Sequence, residues 1–459
     1  MTHNVASPES RPLTNPRIEW IGKIPSHWNI VPLRAVATLK TGHTPSRLVL
    51  AYWEECYIPW VTLTDVSALR TETSDTINDT NERISDLGLA NSAAELLPTS
   101  TVILSRTASV GFSAILGAPM ATTQDFVNWI CGPKIIPRYL LRVFRAMKPE
   151  FRRLTNGSVH QTIYMPDAAA FRIPLPPVAE QSAIADFLDR ETALADALVA
   201  KYQRLITLLE EKRIALITQA VTKGLDSCVP MKDSGVEWIG QIPSHWDAFP
   251  IRRIAEVQGG AAITEELLTS DVSGIPFYKV GDIESADGNG VLGDARVSIK
   301  PSLVSKAHVK TFRPGTIILA KRGAALLLNR FRVTERDACL DSNLMAITFD
   351  NAKTVLTFIL YTLSTVDFSR SVKPGAIPSI DAPEIKNEVI ALPPYPEQMK
   401  IAKHLGKVTS DILRTIVLAE QALVLTRERR AALITAAVTG QIGVEAYRSK
   451  KQQPITVSA

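Results

Sequence analysis

Hydrophobic and polar positions alternate in two different rhythms along this chain, and each rhythm occurs twice. From Glu180 to about Val221 no proline or glycine intervenes, and Ile184, Leu188, Ala195, Leu198, Tyr202, Leu205, Leu209 and Leu216 follow a three-four spacing broken by Glu191 and Lys212. That period predicts a long amphipathic helix. A matching run from Glu397 to Val438 carries Ile401, Leu405, Val408, Ile412, Ala419, Ala422 and Leu433, with Gly406 inside it. About 40 residues at 1.5 Å each make a rod on the order of 60 Å. Two rods with one apolar stripe each are expected to pair antiparallel as an intramolecular coiled coil.

Shorter runs rich in β-branched and aromatic residues predict strands at Tyr57–Leu63 and Thr101–Ser105, with counterparts at Ile275–Val280 and Thr316–Ala320. Two further runs, Phe171–Pro177 and Glu388–Pro394, end in prolines that stop a strand and preset a helix start. A helix is also predicted at Arg138–Lys148, where Leu140, Val143, Phe144 and Met147 form one face and Arg138, Arg142 and Arg145 recur on the other.

The doubling is visible residue by residue. Glu19-Trp20-Ile21-Gly22-Lys23-Ile24-Pro25-Ser26-His27-Trp28 returns with one change as Glu237-Trp238-Ile239-Gly240-Gln241-Ile242-Pro243-Ser244-His245-Trp246. Pro176-Pro177-Val178-Ala179-Glu180-Gln181 matches Pro393-Pro394-Tyr395-Pro396-Glu397-Gln398, and Ala215–Thr222 matches Ala432–Thr439. One period of about 218 residues means two domain-plus-helix units, not an array of small repeats. Between the landmarks, residues 40–172 and 258–389 share length but little sequence. Each Glu-Trp-Ile-Gly element reads as a turn-rich lead-in, and His27 and His245 read as scaffold residues with no carboxylate or cysteine partner nearby in sequence.

Composition sets the bounds. With 459 residues and 46% hydrophobic content the chain can bury several ordinary cores. Cys56, Cys131, Cys228 and Cys339 stand singly, so neither a zinc site nor a disulfide framework is indicated, and a reducing cytoplasm is expected. No apolar stretch is long enough to span a membrane, and residues 1–15 do not read as a secretion signal. The net charge is only +5, so local clustering must carry any nucleic-acid argument.

Signs of catalysis are weak. Gly288-x-Gly290-x-x-Gly293 fits a dinucleotide fingerprint, but the flanking residues read as loop and strand, not as strand and helix. Leu392-Pro393-Pro394-Tyr395 departs from the amino-methyltransferase motif at the leucine, which cannot accept a hydrogen bond. Asp367 with Glu384 and Lys386 fits a nuclease metal site loosely. Basic clusters are more informative. Arg138, Arg142 and Arg145 are followed by Arg152, Arg153 and the polar loop Asn156–Gln161; the second half carries Lys300, Lys306, Lys310, Arg313, Lys321-Arg322, Arg330, Arg332 and Arg336. Such groups suit phosphates and base edges.

With the two lead-in elements, the paired Pro-Pro-x-x-Glu-Gln helix starts and the run Met231–Gly240 assembled, the chain resembles the specificity subunit of a type I restriction-modification system. The resemblance implies an α+β fold: two mixed α/β target-recognition domains separated by two long antiparallel paired helices, a pseudo-twofold tandem repeat. The boundaries it implies are 16–177 for target-recognition domain 1, 178–223 for the first spacer helix, 224–236 for a linker, 237–394 for target-recognition domain 2, and 395–445 for the second spacer helix and tail. It further implies a non-catalytic subunit that recognises a bipartite, asymmetric site in double-stranded DNA. Two modification (methyltransferase) subunits and restriction or translocase subunits are the implied partners. S-adenosylmethionine, ATP and magnesium would sit on those partners and none on this chain. The DNA-contacting candidates are Arg106, Thr107, Ser109, Gln124, Arg138, Arg142, Arg145, Asn156, Ser158 and Gln161 in the first half, and Lys321, Arg322, Arg336 and Lys373 in the second. A protein-binding coiled-coil scaffold and a nuclease built on Asp367, Glu384 and Lys386 are the competing readings.

Overall fold

A computed structural model describes residues 13–14, 18–66, 74–155, 161–271, 273–285, 290–306, 309–368 and 378–444. The chain divides into two compact units, residues 1–204 with 419–459 and residues 205–418. The long helices are Val178–Lys223 and Tyr395–Val438. Unit 1 therefore contains the start of the first helix and the end of the second, and unit 2 contains the reverse.

In unit 1 a five-stranded sheet runs in the order Ala37–Thr41, Phe126–Cys131, Val102–Ser105, Ser113–Leu116, Thr76–Ile77. Its neighbours are antiparallel except the last pair, which is parallel. Unit 2 repeats the order with Ala255–Gly259, Leu344–Phe349, Ile317–Ala320, Arg332–Thr334 and Val291–Leu292, again ending on a parallel pair. The smaller sheets correspond too. Ile58–Val61 lies between a parallel Ala121–Thr122 and an antiparallel Glu82–Ile84, as Ile275–Tyr278 lies between Cys339–Leu340 and Ser298–Ile299. Two sequences with little in common have thus kept one topology, because a strand demands only β-compatible, buried positions and not particular side chains. The expected strands at Tyr57–Leu63, Thr101–Ser105, Ile275–Val280 and Thr316–Ala320 all occur, trimmed at their ends.

Each domain is closed by pairing an early strand with its last. Asn29–Pro32 pairs with Arg172–Leu175, and Asp247–Pro250 with Val389–Leu392. The prolines that follow each last strand lead directly into a long helix, as their fixed backbone geometry favours.

The repeated motifs explain one another. Gln181, fully buried, donates from Nε2 to the carbonyls of Lys134 and Pro176, while its Oε1 accepts from the Ile136 N–H. Gln398 does the same for Lys353, Pro393 and Val355. Glu180 Oε1 lies 2.9 Å from His27 Nε2 and its Oε2 accepts from the Trp28 indole at 2.8 Å. Glu397 likewise lies 2.8 Å from His245 Nε2. Both histidines therefore do have a carboxylate partner, not near in sequence but 153 and 152 positions away, and it ties them into the scaffold. A glutamate fastens the lead-in to the helix start, and the adjacent glutamine fastens the turn before it.

Within unit 1 the two helices meet. Arg430 Nε lies 2.9 Å from Asp196 Oδ1, and Ile434, Ala437 and Val438 share a core with Ala183, Ile184, Phe187 and Leu188. Within unit 2, Ile217, Ala220 and Val221 share a core with Ile401, Ala402 and Leu405. The start of each helix thus packs with the end of the other, which is the antiparallel arrangement. Each fully buried aliphatic side chain of this kind contributes about 1.5–3 kcal/mol. The expected stripe is only partly right. Leu198 and Leu205 are 41% and 40% exposed, because burial on the first helix concentrates at its two ends.

Candidate nucleic-acid interface

The two five-stranded sheets present equivalent loops, and these gather half of the sequence candidates. In unit 1 the chain leaves strand Val102–Ser105 at Arg106 and is clamped on both sides. The Arg106 N–H donates to the Asp125 carbonyl at 2.8 Å, the Ile163 N–H donates to the Arg106 carbonyl at 2.8 Å, and Thr107 pairs with Thr162. The Ala108 N–H donates to the Gln161 carbonyl at 3.1 Å. Ser105 Oγ closes the turn by donating to the Ser109 carbonyl and accepting from the Phe112 N–H. Gly111 takes φ +93°, and an added Cβ there would meet the Phe151 ring at 3.1 Å.

Side chains complete this loop. The Arg106 guanidinium donates to the Gln124 carbonyl at 2.8 Å and the Ile163 carbonyl at 3.2 Å, so it holds three segments together. Thr107 Oγ1 donates to the Asp125 carboxylate, which also accepts from Thr123 Oγ1 at 3.0 Å. Exposed Gln124 accepts from Thr44 Oγ1 at 2.7 Å, which brings a further loop to the same edge. There Arg47 stacks 4.3 Å over the Trp53 ring and lies 2.9 Å from Glu82, beside Leu48, which is 94% exposed. Thus Arg106, Thr107, Ser109, Gln124 and Gln161 share one edge, while Asn156 and Ser158 lie outside the described residues. Sequence reasoning missed Asp125 and Thr44. The turn-rich run Thr41–Ser46 after a strand was the available signal.

Unit 2 has the same frame with different side chains. The Lys321 N–H donates to the Asn343 carbonyl at 2.7 Å, the Ile380 N–H to the Lys321 carbonyl at 3.0 Å, and the Gly323 N–H to the Pro378 carbonyl at 2.9 Å, with Arg322 paired to Ser379. Where unit 1 has Asp125 bound by two threonines, unit 2 has Asn343, whose own side-chain amide is held by Asp341 at 2.8 Å. Lys321 Nζ lies 3.7 Å from Asp381. The loop then makes a one-turn helix, Ala324–Leu327, which buries Leu326 and exposes Leu327 and Leu328. Arg336 is bound to Asp294 at 2.6 Å, and Lys373 lies outside the described residues.

The arginine helix corrects the sequence reading. Helix Pro137–Ala146 buries Arg142 and Arg145 and leaves Arg138 alone of the three exposed. Arg142 lies 2.5 Å from Asp75 and 2.6 Å from Asp189, and Arg145 lies 2.7 Å from Asp75; their side chains are 3% and 2% exposed. Arg138 reaches Asp186 at 3.0 Å and also binds Asp189. Burial acts to raise the Asp189 carboxyl, but hydrogen bonds and charges from Arg142 and Arg138 more than offset it and hold the group below its ordinary value. These three cations brace the helix inside unit 1 and are spent on carboxylates. In unit 2, Arg313 and Arg332 likewise donate to carbonyls, those of Phe349 and Ile283.

Two of the features that hinted at catalysis, the glycine run and Glu384, have a structural setting. Gly290 and Gly293 bracket a two-residue strand, so no helix opens toward a phosphate there; Gly288 lies outside the described residues. The Glu384 carboxylate accepts from the Asp381 N–H in a capping box. Among the described residues no three His, Cys, Asp or Glu side chains are grouped as metal ligands, and no helix is long and apolar enough to cross a membrane. Burial pushes the Cys131 thiol up to about 12, too high for a nucleophile near neutral pH.

Comparison with known proteins agrees with this architecture. The chain is 24% identical over 438 residues to the specificity subunit of the type I restriction enzyme MjaIX of Methanocaldococcus jannaschii, covering 93% of this chain and 96% of that one. It is 23% identical over 410 residues to the StySPI specificity subunit of Salmonella potsdam, covering 84% and 83%. A solved chain from work on complex assembly and conformational transition of the type I R-M system superimposes with a TM-score of 0.70 at 17% identity, covering 91% of this chain and 99% of that one. The HsdS subunit of Thermoanaerobacter tengcongensis gives 0.55 at 16% identity, covering 91% and 98%. The model of the type I restriction modification DNA specificity domain matches twice, at residues 25–207 and 243–418. The chain belongs to the type I restriction-modification DNA specificity family.

Proposed function

We propose that this specificity subunit reads a bipartite, asymmetric sequence in double-stranded DNA through its two dissimilar domains and performs no chemistry itself. The observation that carries the reading is the shared sheet order with different side chains at the same loop: Arg106, Thr107 and Asp125 in one unit stand where Lys321, Arg322 and Asn343 stand in the other. One frame with two chemistries suits two half-sites of different sequence. Within the first domain, Thr107, Ser109, Gln124 and Gln161 line the proposed reading edge, with Arg106 holding that edge in place. Arg138, Arg142 and Arg145 act on DNA only indirectly, by fixing the sheet that carries the loop.

Methyl transfer and cleavage belong to partners, two modification subunits and restriction or translocase subunits, which bring S-adenosylmethionine, ATP and magnesium. Exposed apolar side chains on the long helices support docking there: Leu194, Val424 and Leu425 in unit 1, and Leu208, Leu413 and Val417 in unit 2. The complex works in the cytoplasm, where the helices set the number of unspecified base pairs between half-sites. The test is reconstitution. Purified chain alone should methylate and cut nothing, whereas chain plus modification subunits should methylate a split motif. Turnover by the isolated chain, or methylation without a split motif, would overturn the reading.

A further inference from the structure

We propose that Arg322 is the residue through which the second domain reads a guanine, and that it is one point at which the two half-sites are told apart. The inference rests on the DNA-reading role proposed above. Its backbone is held in register on both sides, through the Lys321 carbonyl to the Ile380 N–H, the pairing with Ser379 and the Gly323 N–H to Pro378. Gly323 takes φ +80°, a bend that sets the loop's course beyond the arginine. The side chain itself is exposed, and among the described residues its guanidinium has no partner.

Two charged neighbours in the same frame are already engaged. Lys321 faces Asp381, and Asp341 holds Asn343. An arginine on a fixed backbone with a free guanidinium is preorganised for a two-pronged contact to guanine O6 and N7 in the major groove.

The comparison between units separates base reading from phosphate binding. The equivalent position in unit 1 is Thr107, neutral and committed to Asp125. Both half-sites carry the same phosphate backbone, so a cation needed only for phosphate would be expected in both frames. A position that is arginine in one frame and a bound threonine in the other behaves as a reader of sequence, which is what differs between half-sites.

The experiment uses the full chain assembled with its modification subunits. Duplexes carrying the wild-type motif, and that motif with each base pair replaced in turn, are titrated with wild-type, Arg322→Gln and Arg322→Lys complexes across a salt series. The expected result is a loss of about 10- to 100-fold in discrimination at one G·C pair of one half-site for Arg322→Gln, with the other half-site unchanged. Arg322→Lys should keep the salt dependence while losing most of that discrimination. Uniform weakening over all sequences, with a salt slope shallower by about one charge, would make Arg322 a phosphate contact and overturn the proposal. So would an unchanged motif in both variants. Failure of the wild-type complex to bind any duplex would instead overturn the DNA-reading role itself.

Discussion

Replacing Arg142 by methionine tests whether the arginine helix is scaffold or DNA surface. The guanidinium is 3% exposed and touches Asp75 at 2.5 Å and Asp189 at 2.6 Å. Breaking a buried ion pair from one side costs about 3–5 kcal/mol, because a charge is left without its partner. Here Asp75 keeps Arg145 and Asp189 keeps Arg138, so the cost should fall near the lower end, about 3 kcal/mol. At 1.4 kcal/mol per tenfold, local opening of helix Pro137–Ala146 should become roughly 100-fold more frequent. Hydrogen exchange of that segment, followed by mass spectrometry on the assembled complex, reads the change directly. The salt dependence of duplex binding should stay the same. Unchanged exchange, together with a salt slope shallower by about 0.9, would mean that Arg142 neutralises a phosphate, and would refute the bracing role.

Three further perturbations have defined outcomes. Gln398→Leu strips partners from Val355 N–H and from the Lys353 and Pro393 carbonyls; at about 1–3 kcal/mol per stranded group, unit 2 should lose at least ~3 kcal/mol, visible as early proteolysis of residues near Val355 under mild denaturant, and wild-type resistance would contradict it. Gly440→Ala should destabilise unit 1 by about 2 kcal/mol or more, since Gly440 takes φ +70° at the end of the second long helix and the new methyl would collide with the Pro25 ring; an unchanged thermal midpoint would argue against that packing. Asp189 is held below 3.8, so its contribution to stability is complete above about pH 4 and is lost as the pH falls through the lowered value. Acid titration of tryptophan fluorescence should show Asp189→Asn less stable at neutral pH but with a shallower acid-induced loss; parallel titrations would remove Asp189 from the acid transition.

The scaffold was far more legible than the reading surface, for physical reasons. Helix periodicity and proline punctuation are local properties, so Val178–Lys223, Tyr395–Val438 and the strands that precede them could be placed from sequence. The partnership of His27 with Glu180 is not local. Its only trace in the sequence was the joint duplication of two distant motifs, a signal the reading of the histidines did not use. Periodicity also showed that Arg138, Arg142 and Arg145 share a helix face, yet it carried no information on Asp75 and Asp189, which arrive from elsewhere in the chain. A basic face with carboxylates opposite it is a brace, not an anion site. The common sheet order was hidden for the opposite reason: β-compatible residues are interchangeable, so topology outlasted sequence.

Independent reading by two domains is the central claim, and a domain exchange measures it most directly. Residues 40–172 would be replaced by the equivalent segment of a relative with a known different motif, and the methylated motif mapped by sequencing DNA modified by the reconstituted complex. One half-site should change to that of the donor while the second half-site and the spacing stay as they were. Simultaneous change of both half-sites, or methylation of the original motif by the exchanged protein, would contradict the account.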